Sequence, residues 1–160
     1  MKKAFLFGSL FLLFLAACTK KKEGLPAYNW QAQYTIDSTK IVTYAVNNNI
    51  TNLKHDSAGI FYQIINRGDT KDTANTAATV TINYVCRFLD NSVYDSVNNA
   101  TSGLNGALDG LKYGIPKIGK GGSIKLLLPS AFAYGQMGNT RVPPNTVLIF
   151  DIQLKDFTNR

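Results

Sequence analysis

The stretch SIKLLLPSAFAYGQMGNTRVPPNTVLIFDIQLKDF, residues 123–157, sets two β-forming runs on either side of a loop rich in aromatic, glycine and proline residues. In the second run Leu148, Phe150, Ile152 and Leu154 alternate with Ile149, Asp151 and Gln153, the period-two signature of a strand with one buried face. In the first, Ile124, Leu126 and Leu128 share a face opposite Lys125, and Pro129 ends the run because proline cannot donate to a central ladder. Phe132, Tyr134 and Val142 are large apolar groups on the intervening loop, and Pro143-Pro144 stiffens its return. Apolar side chains presented by a loop on a rigid scaffold imply a binding pocket.

Working back towards the N-terminus, more strands come into view. Residues 59–65 read as one strand, residues 66–77 as a turn-rich loop, and residues 79–89 as a second strand. In that second strand Val80, Ile82, Tyr84, Cys86 and Phe88 alternate with Thr81, Asn83 and Arg87. Asp90-Asn91-Ser92 marks a turn, and a polar, glycine-containing segment runs from Tyr94-Asp95-Ser96 to Gly106. Residues 114–120 have the glycine spacing and lysine of a phosphate loop, but Gly121 stands where serine or threonine is required and a strand follows instead of a helix. The reading is a turn that feeds the strand beginning at Ser123.

Four elements in this order and spacing carry a resemblance: Pro129, Ala133-Tyr134-Gly135, Val142-Pro143-Pro144 and Leu148-Ile149-Phe150-Asp151. Together they resemble the C-terminal half of the FKBP-type peptidyl-prolyl isomerase family, and the likeness extends back to about Gly59. Tyr84 matches the tyrosine on the strand that floors the family's pocket, and Tyr94-Asp95-Ser96 matches its Phe-Asp-Ser. Ala107 and Leu108 take the places of two aliphatic residues in the family's short helix, and Leu111 stands where a tryptophan is usual. The family's extra pocket phenylalanine and flanking arginine have no clear counterpart, since the segment from Asp95 to Gly110 is shorter.

The resemblance implies an α+β domain over residues 59–160, an antiparallel sheet of about five strands wrapped around one short helix near Gly110–Gly114. It also implies isomerisation of X-Pro bonds in exported polypeptides, without a cofactor. Tyr84, Tyr94, Asp95, Tyr134 and Phe150 are the expected catalytic residues. Ala107, Leu108, Leu111 and Val142 are expected to contact the proline-containing substrate. A non-catalytic polypeptide-binding or chaperone module on the same fold is the alternative.

At the N-terminus Lys2-Lys3 precedes an apolar run over residues 4–15, a signal-peptide pattern for residues 1–17 that falls short of the roughly 20 residues needed to span a bilayer. Leu15-Ala16-Ala17-Cys18 resembles the bacterial lipoprotein box, implying lipidation at Cys18 and a membrane-tethered protein of the bacterial cell envelope. Residues 18–37 read as a tether. Within residues 38–58 a short helical extension is expected, with Asp37 or Ser38 as N-cap, Ile41, Tyr44 and Ala45 on one face, and Asn47-Asn48-Asn49 as its end. Such a helix is too short to resemble the long helical dimerisation arms of some secreted members of that family, and the resemblance therefore implies a monomer.

Composition narrows the function classes. Loss of Lys2 and Lys3 takes the formal net charge from +7 to +5. Lys20-Lys21-Lys22 beside the anchor would either attract anionic headgroups, at about 1 kcal/mol each, or serve as a solvated spacer. No basic stripe with interleaved aromatics points to nucleic acid. With Cys18 acylated, Cys86 has no disulfide partner and reads as a buried structural thiol. The single histidine, His55, reads as a solvated side chain; neither a zinc cluster nor a Ser-His-Asp constellation can be assembled.

Overall fold

The structure is a computed structural model that describes residues 27–160. The expected signal peptide, Cys18 and Lys20-Lys21-Lys22 lie outside those residues. The described elements are α1 (Trp30–Asn47), β1 (Lys54–His55), β2 (Phe61–Asn66), β3 (Thr79–Arg87), β4 (Val93–Gly103), α2 (Asp109–Gly114), β5 (Ser123–Leu128) and β6 (Leu148–Thr158). Single 3-10 turns occupy Leu104–Gly106, Ile115–Lys117 and Ser130–Phe132.

The strands form one antiparallel sheet in the order β1-β2-β5-β6-β3-β4, with α2 as the short helix against it. The expected five strands are present, and the two-residue β1 adds a sixth at the edge. Central pairing sets Leu126 opposite Phe150 and Ile124 opposite Ile152, and β3 then joins β6 with Cys86 opposite Phe150 and Tyr84 opposite Ile152. The inward residues merge into one core that includes Val80, Ile82, Ile124, Leu126, Leu148 and Leu154.

One part of the sequence reading needs correction. The alternation in β6 implies a single buried face, yet Ile149 is fully buried on the reverse side together with Leu127, Val147 and Phe61. The cover is α1, whose Ile41 packs among them with Tyr44 alongside. This helix starts inside the expected tether. Asn29, not Asp37 or Ser38, caps it by accepting from the Ala32 N–H at 2.9 Å. Asp37 is instead fully buried against Ser130 of the opposite segment. A buried acid on the inner stripe hides the helical period from a hydrophobic count. The C-terminal end falls at Asn47-Asn48 as expected, and Asn49 takes a positive φ of 52°. Full burial of Ile41 is worth about 1.5–3 kcal/mol.

β4 is also longer than the polar segment suggests. It is an edge strand paired only to β3, so most of its residues meet solvent and need no apolar alternation. A bulge between Ile82 and Tyr84 accommodates Asn99 at φ 54°, and Asn83 Oδ1 accepts from the Asn99 N–H at 2.8 Å. His55 is exposed but not merely solvated: its Nε2 lies 2.7 Å from the Tyr34 hydroxyl and its ring 4.6 Å from Phe61.

The glycines of residues 119–122 behave as a turn. Their N–H groups are engaged by Arg67, Leu154 and Gly119 carbonyls, through Gly119, Gly121 and Gly122 respectively, rather than left open for a phosphate. The glycines of α2 serve close packing: a Cβ on Gly114 would sit 2.3 Å from Leu126 Cδ1, and one on Gly110 2.4 Å from Leu128 Cδ1. Gly114→Ala should therefore destabilise the domain by about 1–3 kcal/mol in urea unfolding, despite alanine's better helix propensity. An unchanged or raised midpoint would show that α2 stands off β5.

Candidate active site

β3 and β6 place Tyr84 and Phe150 on the inner face, with ring centroids 6.0 Å apart. The Tyr84 hydroxyl donates to Asp95 Oδ2 at 2.7 Å. Asp95 reaches it because the β3–β4 ladder slips between Cys86 and Arg87: Cys86 pairs with Asp95 but Arg87 with Val93, which leaves Tyr94 as the extra residue. Bulges re-aim side chains. Here Asp95 bonds Tyr84 while its neighbour Tyr94 packs on the same core.

Tyr94 then meets the loop after β5. Its ring lies edge-on to Tyr134 at 6.3 Å and 5.7 Å from Phe88, and the Arg141 guanidinium stacks over it at 4.7 Å. Asn139 Nδ2 donates to the Tyr94 hydroxyl at 3.3 Å, and that hydroxyl faces the Tyr134 hydroxyl at 3.5 Å. The loop is braced from within. Asn139 Oδ1 accepts from the N–H groups of Arg141 and Val142, both at 2.8 Å, and Gly138 at φ 61° could not carry a Cβ, which would fall 2.2 Å from the Val142 carbonyl oxygen.

Eight of the nine expected site residues lie in or against one core cluster, and the ninth, Asp95, joins them through its bond to Tyr84. Phe150 and Val142 are 5% and 1% exposed and lie within that core. Tyr84, Tyr94, Ala107, Leu108, Leu111 and Tyr134 are half-buried against it and keep some accessible surface. Cys18, the expected lipidation site, lies outside the described residues. Phe88 and Arg141 were not picked out as site residues from the sequence. Phe88 continues the inward phase of Tyr84 and Cys86 and was legible in that way. Arg141 sits beside Tyr94 only because the loop folds back, which no local pattern announces.

Burial sets the protonation states. The Cys86 thiol, fully buried, is pushed up from 9.0 to about 12, first by burial and then by the Asp95 carboxylate. Tyr134 rises from 10.0 to about 12 through burial first and its Tyr94 neighbour second. Tyr84 rises further still, through burial and then its bond to Asp95. Tyr134 is therefore a protonated hydroxyl at neutral pH, able to donate a hydrogen bond. A concavity of about 260 Å³ along β3 and β6 is lined by Asn83, Val85, Ser123, Gln153 and Asp151 and also touches Tyr84. Asp151 is paired there with Arg87 and Lys125, a charged setting ill-suited to an apolar ring.

The sequence profile of the FKBP-type peptidyl-prolyl cis-trans isomerases matches residues 70–155, more than half of the chain. The chain belongs to that family. Over 110 residues it is 36% identical to the FKBP-type peptidyl-prolyl cis-trans isomerase FkpA of Escherichia coli (strain K12), covering 65% of this chain and 40% of that protein. A probable FKBP-type isomerase of Haemophilus influenzae is 29% identical over 109 residues, covering 65% of this chain and 45% of that one. The chain thus spans less than half the length of these two curated relatives. The crystal structure of E. coli FkpA superposes with a TM-score of 0.69 at 28% identity, over 80% of this chain and 64% of the other. A peptidyl-prolyl isomerase structure from Pseudomonas syringae shares the fold, with a TM-score of 0.70 at 22% identity over 82% and 97% of the two chains. The matched region begins after β2, although β1 and β2 are part of the same sheet.

The raised groups fix a sign for the pH dependence of stability. Because the folded state retains protons that the unfolded chain releases from pH 9 upward, their stabilisation is full below pH 9 and is lost as pH rises through about 12. Thermal unfolding should give a level Tm from pH 7 to 8.5 and a progressive fall between pH 9 and 11. A Tm that stays level across that interval would mean that these groups ionise in the fold as readily as in the unfolded chain.

Proposed function

We propose that this domain catalyses cis–trans isomerisation of X-Pro peptide bonds in exported polypeptides. The X-Pro bond interconverts in tens to hundreds of seconds unaided, against a barrier of about 18–20 kcal/mol set by amide resonance. A recess that excludes water disfavours the polar planar amide relative to the twisted one. A donor aimed at the rotated carbonyl favours the transition state over the ground state. Neither a nucleophile nor a metal is required.

In this reading the proline ring enters between Tyr84, Leu108 and Leu111, backed by Phe150 and Val142, with Ala107 beside it. Asp95 orients the Tyr84 ring. Tyr94 supports Tyr134, whose hydroxyl donates to the substrate backbone. The observation that carries the reading is the hydrogen-bond accounting of the three tyrosines. The Tyr84 proton is held by Asp95 and the Tyr94 hydroxyl is engaged by Asn139, while the Tyr134 O–H donates to no protein acceptor among the described residues.

A second reading has one specific support. Leu111 occupies the helix position where the family resemblance leads one to expect an indole, so the floor has less ring area. A groove that binds polypeptides but turns over slowly would follow. The Leu15-Ala16-Ala17-Cys18 pattern supports acylation of Cys18 and a membrane-anchored place in the bacterial envelope. No helix among the described residues is long and apolar enough to cross a membrane.

A protease-coupled proline isomerisation assay should show clear acceleration by the wild-type chain. The Tyr134→Phe, Phe150→Ala double variant, checked for folding by circular dichroism, should lose at least tenfold in kcat/KM, about 1.4 kcal/mol of transition-state stabilisation. No acceleration by folded wild type, with a large gain in Leu111→Trp, would instead establish the binding module. In a bacterial host, Cys18→Ala should move the protein from the membrane fraction to the soluble one. Unchanged membrane association would sink the anchor.

A further inference from the structure

Asp37 is fully buried in the middle of α1. Aspartate is a poor residue for a helix interior, and a buried carboxylate is costly unless its lone pairs are met. Its partners lie across the domain. Oδ2 accepts from Ser130 twice, from the backbone N–H at 2.8 Å and from the Oγ–H at 2.6 Å, and Oδ1 accepts from Gln33 Nε2 at 2.8 Å. The two bonds from Ser130 are charge-assisted and sheltered, the strong class of hydrogen bond.

Ser130 opens the 3-10 turn that delivers Tyr134. Its carbonyl accepts from the N–H groups of Ala133 at 3.0 Å and Gly135 at 2.8 Å, the residues on either side of Tyr134. Asp37 thus holds one end of Ser130 while the other end holds the backbone that flanks Tyr134. Two further contacts from the same N-terminal segment reach this loop. Tyr34 packs edge-on against Phe132 at 6.5 Å, and the Tyr28 hydroxyl donates to Asn145 Oδ1 at 2.6 Å, with Asn145 N–H bonded in turn to the Gly135 carbonyl at 2.9 Å.

We propose that Asp37 is a positioning residue for the candidate site: through Ser130 it sets where the Tyr134 hydroxyl stands over the recess. The kinetic part rests on the isomerase reading; the structural part does not. The N-terminal helix is then a component of the site rather than a spacer ahead of it.

The test is a double-mutant cycle on the full chain, with Asp37→Ala, Tyr134→Phe and their combination, read by kcat/KM and by amide hydrogen exchange. Asp37→Ala alone should lower kcat/KM about tenfold, and less than twofold further once Tyr134 is already phenylalanine. Exchange at Ser130, Ala133 and Gly135 should rise at least tenfold while the amides of Leu126 and Phe150 hold their protection. Ser130→Ala, which keeps the backbone N–H bond, should move both readouts less and in the same direction, and it replaces Asp37→Ala in the cycle if that variant does not fold. Equal losses in both Tyr134 backgrounds, or exchange that rises evenly through α1 and the core, would reduce Asp37 to a structural anchor and overturn the proposal. If the wild type itself does not isomerise X-Pro bonds, the isomerase reading fails, and the exchange data alone decide whether Asp37 places the loop.

Discussion

Two-sided burial of the β5–β6 pair is the constraint on which the rest of the molecule depends. Leu126 faces Phe150 on one side of the sheet and Leu127 faces Ile149 on the other, and all four are buried. A sheet with one wet face needs one cover; this pair needs two. The inner cover is α2, which comes close enough only because Gly110 and Gly114 present no Cβ to Leu128 and Leu126. The outer cover is α1, through Ile41 and the half-buried Tyr44. Because β5 and β6 also carry the two ends of the loop bearing Tyr134 and Val142, the same pairing that builds the core fixes where that loop leaves and returns.

The site follows from this frame with little added. Phe150 is a core residue of β6, and Tyr84 is its neighbour on β3. The bulge at Tyr94 lets two consecutive residues of an edge strand serve one face, where regular alternation would send one of them to solvent. What results is a group of rings that hold one another in place, with the polar groups around them largely satisfied internally. Such preorganisation suits a reaction that needs exclusion of water and one well-aimed donor more than proton transfer.

The sequence displayed the parts whose physics is local. The alternation of β3 and β6, the Pro129 stop and the 90–92 turn are all read from residues that interact within a few positions of one another, whereas the small helix was expected from the family resemblance alone. β4 was not legible as a strand, because an exposed edge strand with Asn99 in the left-handed region lacks both apolar alternation and favourable propensity. The start of α1 was hidden for another reason. Its inner stripe includes Asp37, whose burial is compensated chiefly by two bonds from Ser130, 93 positions away. The burial of Ile149 was hidden with it, since a second buried face on β6 exists only once α1 is in place. Within the site, Tyr84, Tyr94, Asp95, Tyr134 and Phe150 were named from their motif, and Arg141 over Tyr94 needed the loop's return path.

That longer helix also changes what an acyl anchor would mean. A tether that ran to residue 37 would leave the domain free to range far from a bilayer. Tyr28 is already hydrogen-bonded to Asn145, so residues 19–27 alone would separate an acylated Cys18 from the fold. Fully extended they reach about 30 Å, at roughly 3.5 Å per residue. That is comparable to the diameter of a small domain. On the proposed acylation, the recess would work within about one domain's width of the membrane surface, and the anchor would select clients by location while the recess selects them by chemistry.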